Sequence, residues 1–153
     1  MKLPPDAIER LLEPWPVARL PTPGKDGSSH QAPVVFVDRG NGLWSPIDGK
    51  PKALGLLART RNVRRDPRVS LLLDHSEQDG TRLWWLRVDG AADLHQTADP
   101  ETHPRVASVP VASRKKCPQY REIPALVGRP MLMRVRVPVV HGGCAAPQAF
   151  SAA

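Results

Sequence analysis

The chain has 153 residues, a length typical of one globular domain, and carries a formal net charge of +7. No apolar run approaches the roughly twenty residues that a membrane-spanning helix needs, and the first residues lack the pattern of a cleavable signal. We therefore expect a cytoplasmic protein with no membrane partner, and its arginine-rich charge favours an anionic ligand. The 18 prolines lie between apolar runs, which predicts short elements separated by turns.

The first third of the chain predicts one helix followed by strands. Asp6 is a candidate N-cap, with Glu9 three residues later and apolar Ile8 and Leu11 at helical spacing. Short apolar runs bounded by glycine, asparagine and proline then predict three strands, over residues 17–20, 33–37 and 43–47.

The rest of the chain continues this pattern. Helices are predicted over residues 52–65 and 99–114, and strands over 69–73, 83–88 and 131–139. In the last strand Leu132, Arg134 and Arg136 would face outward. Strands outnumber helices and most are joined by short loops, so we predict a mainly β (α+β) fold, an antiparallel barrel with a few short helices over residues 1–140. Residues 141–153 would form an irregular tail.

Three familiar chemistries are disfavoured by spacing. Asp74, His75 and Ser76 are consecutive, so one strand cannot turn His75 toward both neighbours as a hydrolase triad requires. Cys117, His141 and Cys144 match no paired zinc pattern, and we predict no metal site. Glycine-rich phosphate loops of the common nucleotide folds are absent from the sequence.

A nucleic-acid surface is a further alternative, because Trp84 and Trp85 follow a basic helix. Adjacent residues of a strand face opposite ways, so one indole would reach the surface and the other the core. We therefore regard nucleic acid as an unlikely partner.

The stretch from Ser45 to Lys52 indicates an anion site. A strand ends there in a turn that carries Lys50 and Lys52, just before a predicted helix whose amino terminus would offer free N–H groups. The two ammonium groups could reach one cluster of oxygens. The alternative is that both lysines are simply solvated.

Several segments, taken in order, resemble the pyridoxamine 5'-phosphate oxidase-like split barrels. They are residues 18–22, 26–27, 33–36, 48–52 (DGKPK), 61–71 (RNVRRDPRVSL) and 84–92 (WWLRVDGAA). The set is most similar to the actinobacterial branch that uses the deazaflavin coenzyme F420. The resemblance implies a homodimer with two cofactor sites at the subunit interface and hydride transfer to a small organic substrate, with no side chain identified as catalytic.

The resemblance also implies which residues hold the cofactor. Its ring would be bordered by Val34, Val35 and Phe36, with Ser45, Pro46 and Ile47 at its edge; Lys50 and Lys52 would bind the phosphate, and Arg61 and Asn62 would orient that loop or touch the tail. Exposed arginines suit the oligoglutamate tail of F420 better than FMN. An FMN enzyme on the same barrel and a non-enzymatic cofactor carrier remain alternatives.

One departure concerns the last strand. Relatives commonly end it with a Gly-Trp pair near the cofactor, whereas this chain has Gly142, Gly143 and Cys144 there. The expected indole is absent, which would weaken binding of the cofactor or change which cofactor binds.

Overall fold

The computed structural model describes residues 1–47, 57–96, 108–118, 121 and 131–150. Its helices are α1 (Pro5–Leu12), α2 (Ala58–Arg65) and α3 (Ser108–Lys116). Its strands are β1 (Val17–Pro23), β2 (Ser29–Val35), β3 (Val37–Asp38), β4 (Leu43–Ile47), β5 (Arg68–His75), β6 (Trp84–Gln96) and β7 (Met131–Cys144). Short 3-10 turns follow at Gly80–Arg82 and Pro147–Phe150.

Within the described residues the seven strands form one antiparallel sheet in the order β2-β1-β5-β6-β7-β4-β3. β2 and β3 lie at opposite edges of this order, yet Phe36 alone separates them along the chain. The sheet must therefore curl until its edges approach one another, which makes a half-barrel. The predicted fold class is confirmed.

Alternation along the strands sends every second side chain into the barrel. Leu20 of β1, Leu71 and Leu73 of β5, and Leu86 and Val88 of β6 are almost completely buried in one aliphatic core. Leucine and valine make up most of the buried residues of this core, which also contains Phe36 and Trp84.

Helix α1 closes one end of the core with Ala7 and Leu11. Its start differs from the prediction: the N-cap is Pro4, and Asp6 lies in the first turn, where it pairs with Arg10 at 3.1 Å. A proline at the first helical position needs no cap for an N–H that it lacks, and its fixed φ starts the helix. The prediction that Asp6 is the cap is therefore wrong.

Helix α3 covers a second, smaller cluster on the outside of the barrel. Val109 packs there against Val37, Trp44 and Leu132. The sequence correctly turns Leu132 outward, but the side chain is 0% exposed because the helix lies over it. The helix predicted over residues 99–114 overlaps α3, and its residues 99–107 lie outside the described part of the chain. The helix predicted over residues 52–65 contains α2, and its residues 52–56 likewise lie outside the described part.

Strand β7 extends beyond its predicted end and takes in residues 141–144, for which an irregular tail is predicted. β6 pairs with these residues on one side, from Trp84 opposite Cys144 onward. On the other side Leu3 donates its N–H to Gly142 at 3.1 Å, and Cys144 donates to Met1 at 2.9 Å. Backbone pairing on both edges keeps this glycine-rich segment extended.

Candidate cofactor site

The six residues expected beside the cofactor ring come together at the junction of β2, β3 and β4. Val37 pairs with Trp44, so the preceding Phe36 lies beside Ser45 in the neighbouring strand. Their side chains are largely buried in the barrel core: Val34, Phe36, Ser45 and Ile47 are buried, and so is Pro46. Val35 is half-buried and faces away from the core. A planar ligand here would contact backbone and Val35.

A half-buried cation lies beside this junction. The ammonium of Lys116 is 3.7 Å from the centroid of the Phe36 ring and donates to the carbonyl oxygen of Leu12 at 3.0 Å. Desolvation lowers the pKa of Lys116 to about 8, against the opposing pull of Cys117 and of the Asp38 and Glu13 carboxylates. Lys116 joins the ends of α1 and α3 to Phe36, the residue between β2 and β3.

The sequence analysis did not identify Lys116. It is the last residue of α3 and reaches a ring 80 positions earlier in the chain, so local spacing carries no signal of the contact. Burial likewise raises the pKa of the adjacent Cys117 thiol.

The residues expected on the phosphate side are less fully placed. Lys50 and Lys52 lie outside the described residues. Arg61 is exposed on α2, and ten residues separate this helix from the end of β4. Asn62 is buried on the same helix.

The contacts of Asn62 are structural. Its amide nitrogen donates to the Thr22 hydroxyl at 3.1 Å, and its amide oxygen accepts from Arg65 at 3.2 Å. Arg65 also donates to the Pro23 carbonyl oxygen. These bonds tie α2 to the β1–β2 hairpin, so Asn62 orients the helix that follows the expected phosphate loop.

A second polar group lies on the outer side of β6, β7 and β4. Asp93 opposes Arg134 in the sheet and accepts from its Nε at 3.0 Å and from its Nη2 at 2.5 Å. The Arg134 guanidinium is in turn 5.5 Å from the Trp44 ring, and His95 is 3.4 Å from Asp93. Burial by itself raises the pKa of Asp93, but the hydrogen bonds and charge of Arg134 hold it below its usual value. This group braces the strands behind the candidate site.

A cavity of about 610 Å³ opens between the β3–β4 turn and the middle of β6 and β7. Its floor is apolar, with Leu12, Leu43 and Val88, and its rim carries Asp38 and Arg136. Leu12, whose carbonyl oxygen accepts from the Lys116 ammonium, also lines this cavity.

The structure also places the tryptophan and histidine residues that the sequence analysis considered for other kinds of site. Trp84 is 1% exposed and Trp85 36%, so the prediction of one core indole and one surface indole is confirmed. His75 ends β5 and contacts Glu77 at 2.8 Å. No group of three or more metal-ligating side chains occurs among the described residues. In that same part of the chain no helix is long and apolar enough to cross a bilayer.

Comparison with solved structures finds the same architecture in several bacterial proteins. A conserved hypothetical protein of Mycobacterium tuberculosis is 20% identical, with a TM-score of 0.68 over 94% of this chain and 86% of that one. The heme storage protein HutZ of Vibrio cholerae is 17% identical, with a TM-score of 0.71 over 94% and 97%. An FAD-binding protein of Mesorhizobium loti is 20% identical, with a TM-score of 0.59 over 93% of each chain. Likeness at these identities establishes the fold.

No curated protein matches this sequence. Residues 4–127, in contrast, match the family described as pyridoxamine 5'-phosphate oxidase. The match spans more than half of the chain and includes the β2–β4 junction. Together with the half-barrel architecture, it shows that the chain belongs to the pyridoxamine 5'-phosphate oxidase family.

Proposed function

We propose that this protein is an oxidoreductase that binds a flavin-type cofactor against β2 and β4, with coenzyme F420 as the cofactor. The observation that carries the proposal is the β2–β4 junction, where Phe36 lies beside Ser45 in a family whose fold is shared with an FAD-binding protein. FMN on the same strands is the second candidate.

The described residues fit the ring of such a cofactor. Val34, Val35, Phe36, Pro46 and Ile47 are uncharged, so these side chains would present no charge to an apolar conjugated ring. The cation described beside them is Lys116, whose ammonium lies over the Phe36 ring. Buried side chains on both strands hold the backbone in place, which suits a ligand recognised through backbone N–H and carbonyl groups.

The anionic part of the cofactor would be held by cations after β4. Lys50 and Lys52 follow Ile47 in the sequence, and α2 then adds four arginines within eight residues: Arg59, Arg61, Arg64 and Arg65. No acidic residue lies in the first turn of this helix. This basic segment favours a phosphate followed by a polycarboxylate tail, which is the reason to place F420 before FMN.

When bound, the cofactor would supply hydride chemistry: two electrons and a proton pass as hydride to an oxidised organic acceptor, and solvent supplies the second proton. The residues of this chain would bind and align the ring and exclude water from its face.

The test is a parallel fluorescence titration of the full chain with F420 and with FMN. We expect tighter binding of F420, and we expect the double variant Lys50→Ala/Lys52→Ala to weaken it about tenfold or more, since each lost charge-assisted contact contributes about 1 kcal/mol. Lys25→Ala/Lys115→Ala is the matched control, because both lysines are exposed. Unchanged affinity in the first double variant would refute the lysine assignment, and tighter binding of FMN would transfer the proposal to that cofactor.

A non-enzymatic cofactor-binding role is the second candidate function. The likeness to a heme storage protein favours it. Titration with heme, followed by its absorbance, would distinguish the two roles: saturable heme binding, with neither F420 nor FMN bound, would replace the oxidoreductase proposal with a carrier.

A further inference from the structure

The cavity beside the β3–β4 turn lies at a gap along one edge of β7. β4 pairs with this edge only as far as Val135, which is opposite Leu43. The next partner along the edge is Leu3, which donates its N–H to Gly142 at 3.1 Å. Within the described part of the chain no strand pairs with the edge between these two points. The gap spans residues 136–141, roughly 20 Å of extended strand.

A β-bulge lies in the same stretch of β7. In the pairing of β6 with β7, Gly90 is opposite two residues, 137–138. A bulge adds one residue to a strand and so changes which later side chains face the core. Val135 before the bulge and Val140 after it therefore both pack against the core, although an odd number of positions separates them. The bulge thus adds an apolar side chain, that of Val140, to the lining of the cavity.

The floor of the cavity is part of the barrel core. Leu43 and Val88 are almost completely buried, and Leu12 closes the space at the end of α1. The volume of about 610 Å³ corresponds to about 20 waters at ~30 Å³ each. Water against apolar walls lacks hydrogen-bond partners, so its displacement by an apolar group is favourable. The cavity therefore suits the apolar body of a small molecule.

A cation on the rim of the cavity is incompletely neutralised. Asp93 is already bonded to Arg134 through both of its carboxylate oxygens, at 3.0 and 2.5 Å. Arg136 lies 3.8 Å from the same carboxylate, and its side chain is 61% exposed. Two guanidinium groups thus share one negative charge. The surplus positive charge is on Arg136, which lines the cavity.

The acidic side chain on the rim lies away from this cation. Asp38 pairs with Leu43, which in turn pairs with Val135, so Asp38 is two strands from β7. At a strand spacing of about 4.8 Å its Cα is about 10 Å from that strand. The Lys116 ammonium is close enough to interact with the Asp38 charge. The Arg136 side of the rim is therefore electropositive and favours an anionic group.

We propose that this cavity binds a monocarboxylate with an apolar body, whose carboxylate pairs with Arg136 and whose body lies against Leu43 and Val140. A guanidinium presents two parallel N–H groups to a carboxylate, which fixes the orientation of the head group. The described lining residues include none of those expected to hold the cofactor. The inference is therefore independent of the proposed function.

Isothermal titration calorimetry of the full chain with octanoate tests the site. Octanol and octylamine carry the same chain with a neutral and a positive head group. We expect octanoate to bind saturably and about tenfold or more tightly than either, because its carboxylate forms a charge-assisted pair. Hexanoate should bind about fifteenfold more weakly than octanoate, at about fourfold for each methylene removed from an apolar site.

The other outcomes of this titration would overturn the proposal. Octanol bound as tightly as octanoate, or octylamine bound more tightly, would show that the rim does not select a carboxylate. Equal affinity for hexanoate and octanoate would show that the apolar floor is not used. Absence of saturable octanoate binding would exclude the site itself.

Arg136→Gln tests the position of the head group. It should weaken octanoate binding about tenfold and leave octanol binding unchanged. Arg87→Gln is the matched control, because Arg87 is also paired with a carboxylate, Asp89 at 3.0 Å, but does not line the cavity. Wild-type affinity for octanoate in Arg136→Gln, or an equal loss in both variants, would overturn the role of Arg136.

Val140→Phe tests the position of the apolar body. Val140 is half-buried, and the larger side chain would occupy part of the cavity. We expect octanoate and octanol both to bind about tenfold more weakly, with an unchanged circular dichroism spectrum. Val139→Phe is the matched control, since Val139 is 44% exposed and does not line the cavity. A folded Val140→Phe that binds octanoate like the wild type would overturn the assignment, and if this variant does not fold, Arg136→Gln decides alone.

One further variant separates this inference from the proposed function. Lys50→Ala/Lys52→Ala should bind octanoate as the wild type does, whatever its affinity for F420 or FMN. Loss of octanoate binding in this variant would show that the cavity is part of the cofactor site and would overturn the inference. A wild-type chain that binds octanoate but neither F420 nor FMN would support the inference and refute the proposed function.

Discussion

Replacing Lys116 by methionine should stabilise the protein at neutral pH and remove part of its dependence on pH. Methionine keeps most of the aliphatic stem against Phe36 but carries no charge into the space between α1 and α3. The substitution gives up the 3.0 Å bond to the Leu12 carbonyl and the contact with the aromatic ring. It also removes the cost of burying an ammonium.

The lowered pKa of Lys116 sets the size and the sign of the effect. Burial brings the pKa from 10.5 to about 8, and at 1.36 kcal/mol per unit this corresponds to about 3 kcal/mol of differential stability. Between these two values the unfolded chain holds the proton and the folded chain does not, so the lysine's contribution to stability rises with pH. Above pH 10.5 the lysine is neutral in both states and its burial causes no destabilisation of this kind. The destabilisation grows as the pH falls and is complete below about pH 8.

The lost hydrogen bond and the lost cation–π contact should each cost about 1 kcal/mol and so cancel part of this gain. We therefore expect the free energy of unfolding of Lys116→Met to exceed that of the wild type by about 1 kcal/mol at pH 7. At pH 9.5 and above the variant should be less stable than the wild type. The measurement is urea unfolding of both proteins at several pH values from 7 to 10, with Lys115→Met as the control because that neighbouring lysine is exposed. A difference between wild type and Lys116→Met that stays constant over this range would refute the reasoning.

Three further substitutions test how the strands and α2 are packed. Gly90→Ala should lower the free energy of unfolding by about 3 kcal/mol, because its Cβ would lie 2.1 Å from the Arg136 backbone oxygen, which cannot move easily. Gly27→Ala should lower it by only about 1 kcal/mol, because Gly27 has a φ of +81° but open space around it. Equal losses of the two variants in thermal unfolding would contradict this account. Asn62→Ala should cost about 2 kcal/mol by removing the bonds that join α2 to Thr22 and Arg65, and a variant as stable as wild type in urea would show that those bonds do not hold the helix.

Much of the barrel could be predicted from local patterns. β4 has the bounds that its apolar run predicts, and β1, β5 and β6 each contain or overlap their predicted strands, because alternation between a core face and an outer face is written into neighbouring residues. The family was also accessible, since its ordered segments are spread over most of the chain. The F420 cofactor, the dimer and the roles of Lys50 and Lys52 stay predictions.

Element ends were predicted less well than element types. The start of α1 depends on a proline that needs no cap rather than on Asp6, and the end of β7 depends on backbone partners from β6 and from residues 1–3. Neither partner set can be read from the segment itself. A glycine-rich sequence such as residues 142–143 carries no periodicity that would predict a strand.

By itself, the sequence determined that Leu132, Arg134 and Arg136 face outward from β7, that one of two adjacent tryptophans is exposed, and that a basic segment follows β4. Only the tertiary structure decided that Lys116 lies over Phe36 and that Trp85 lies against Gly143. The physical reason is range. Side-chain alternation is a property of neighbouring residues, whereas these contacts join residues about 60 to 80 positions apart and depend on how strands register and where a helix packs.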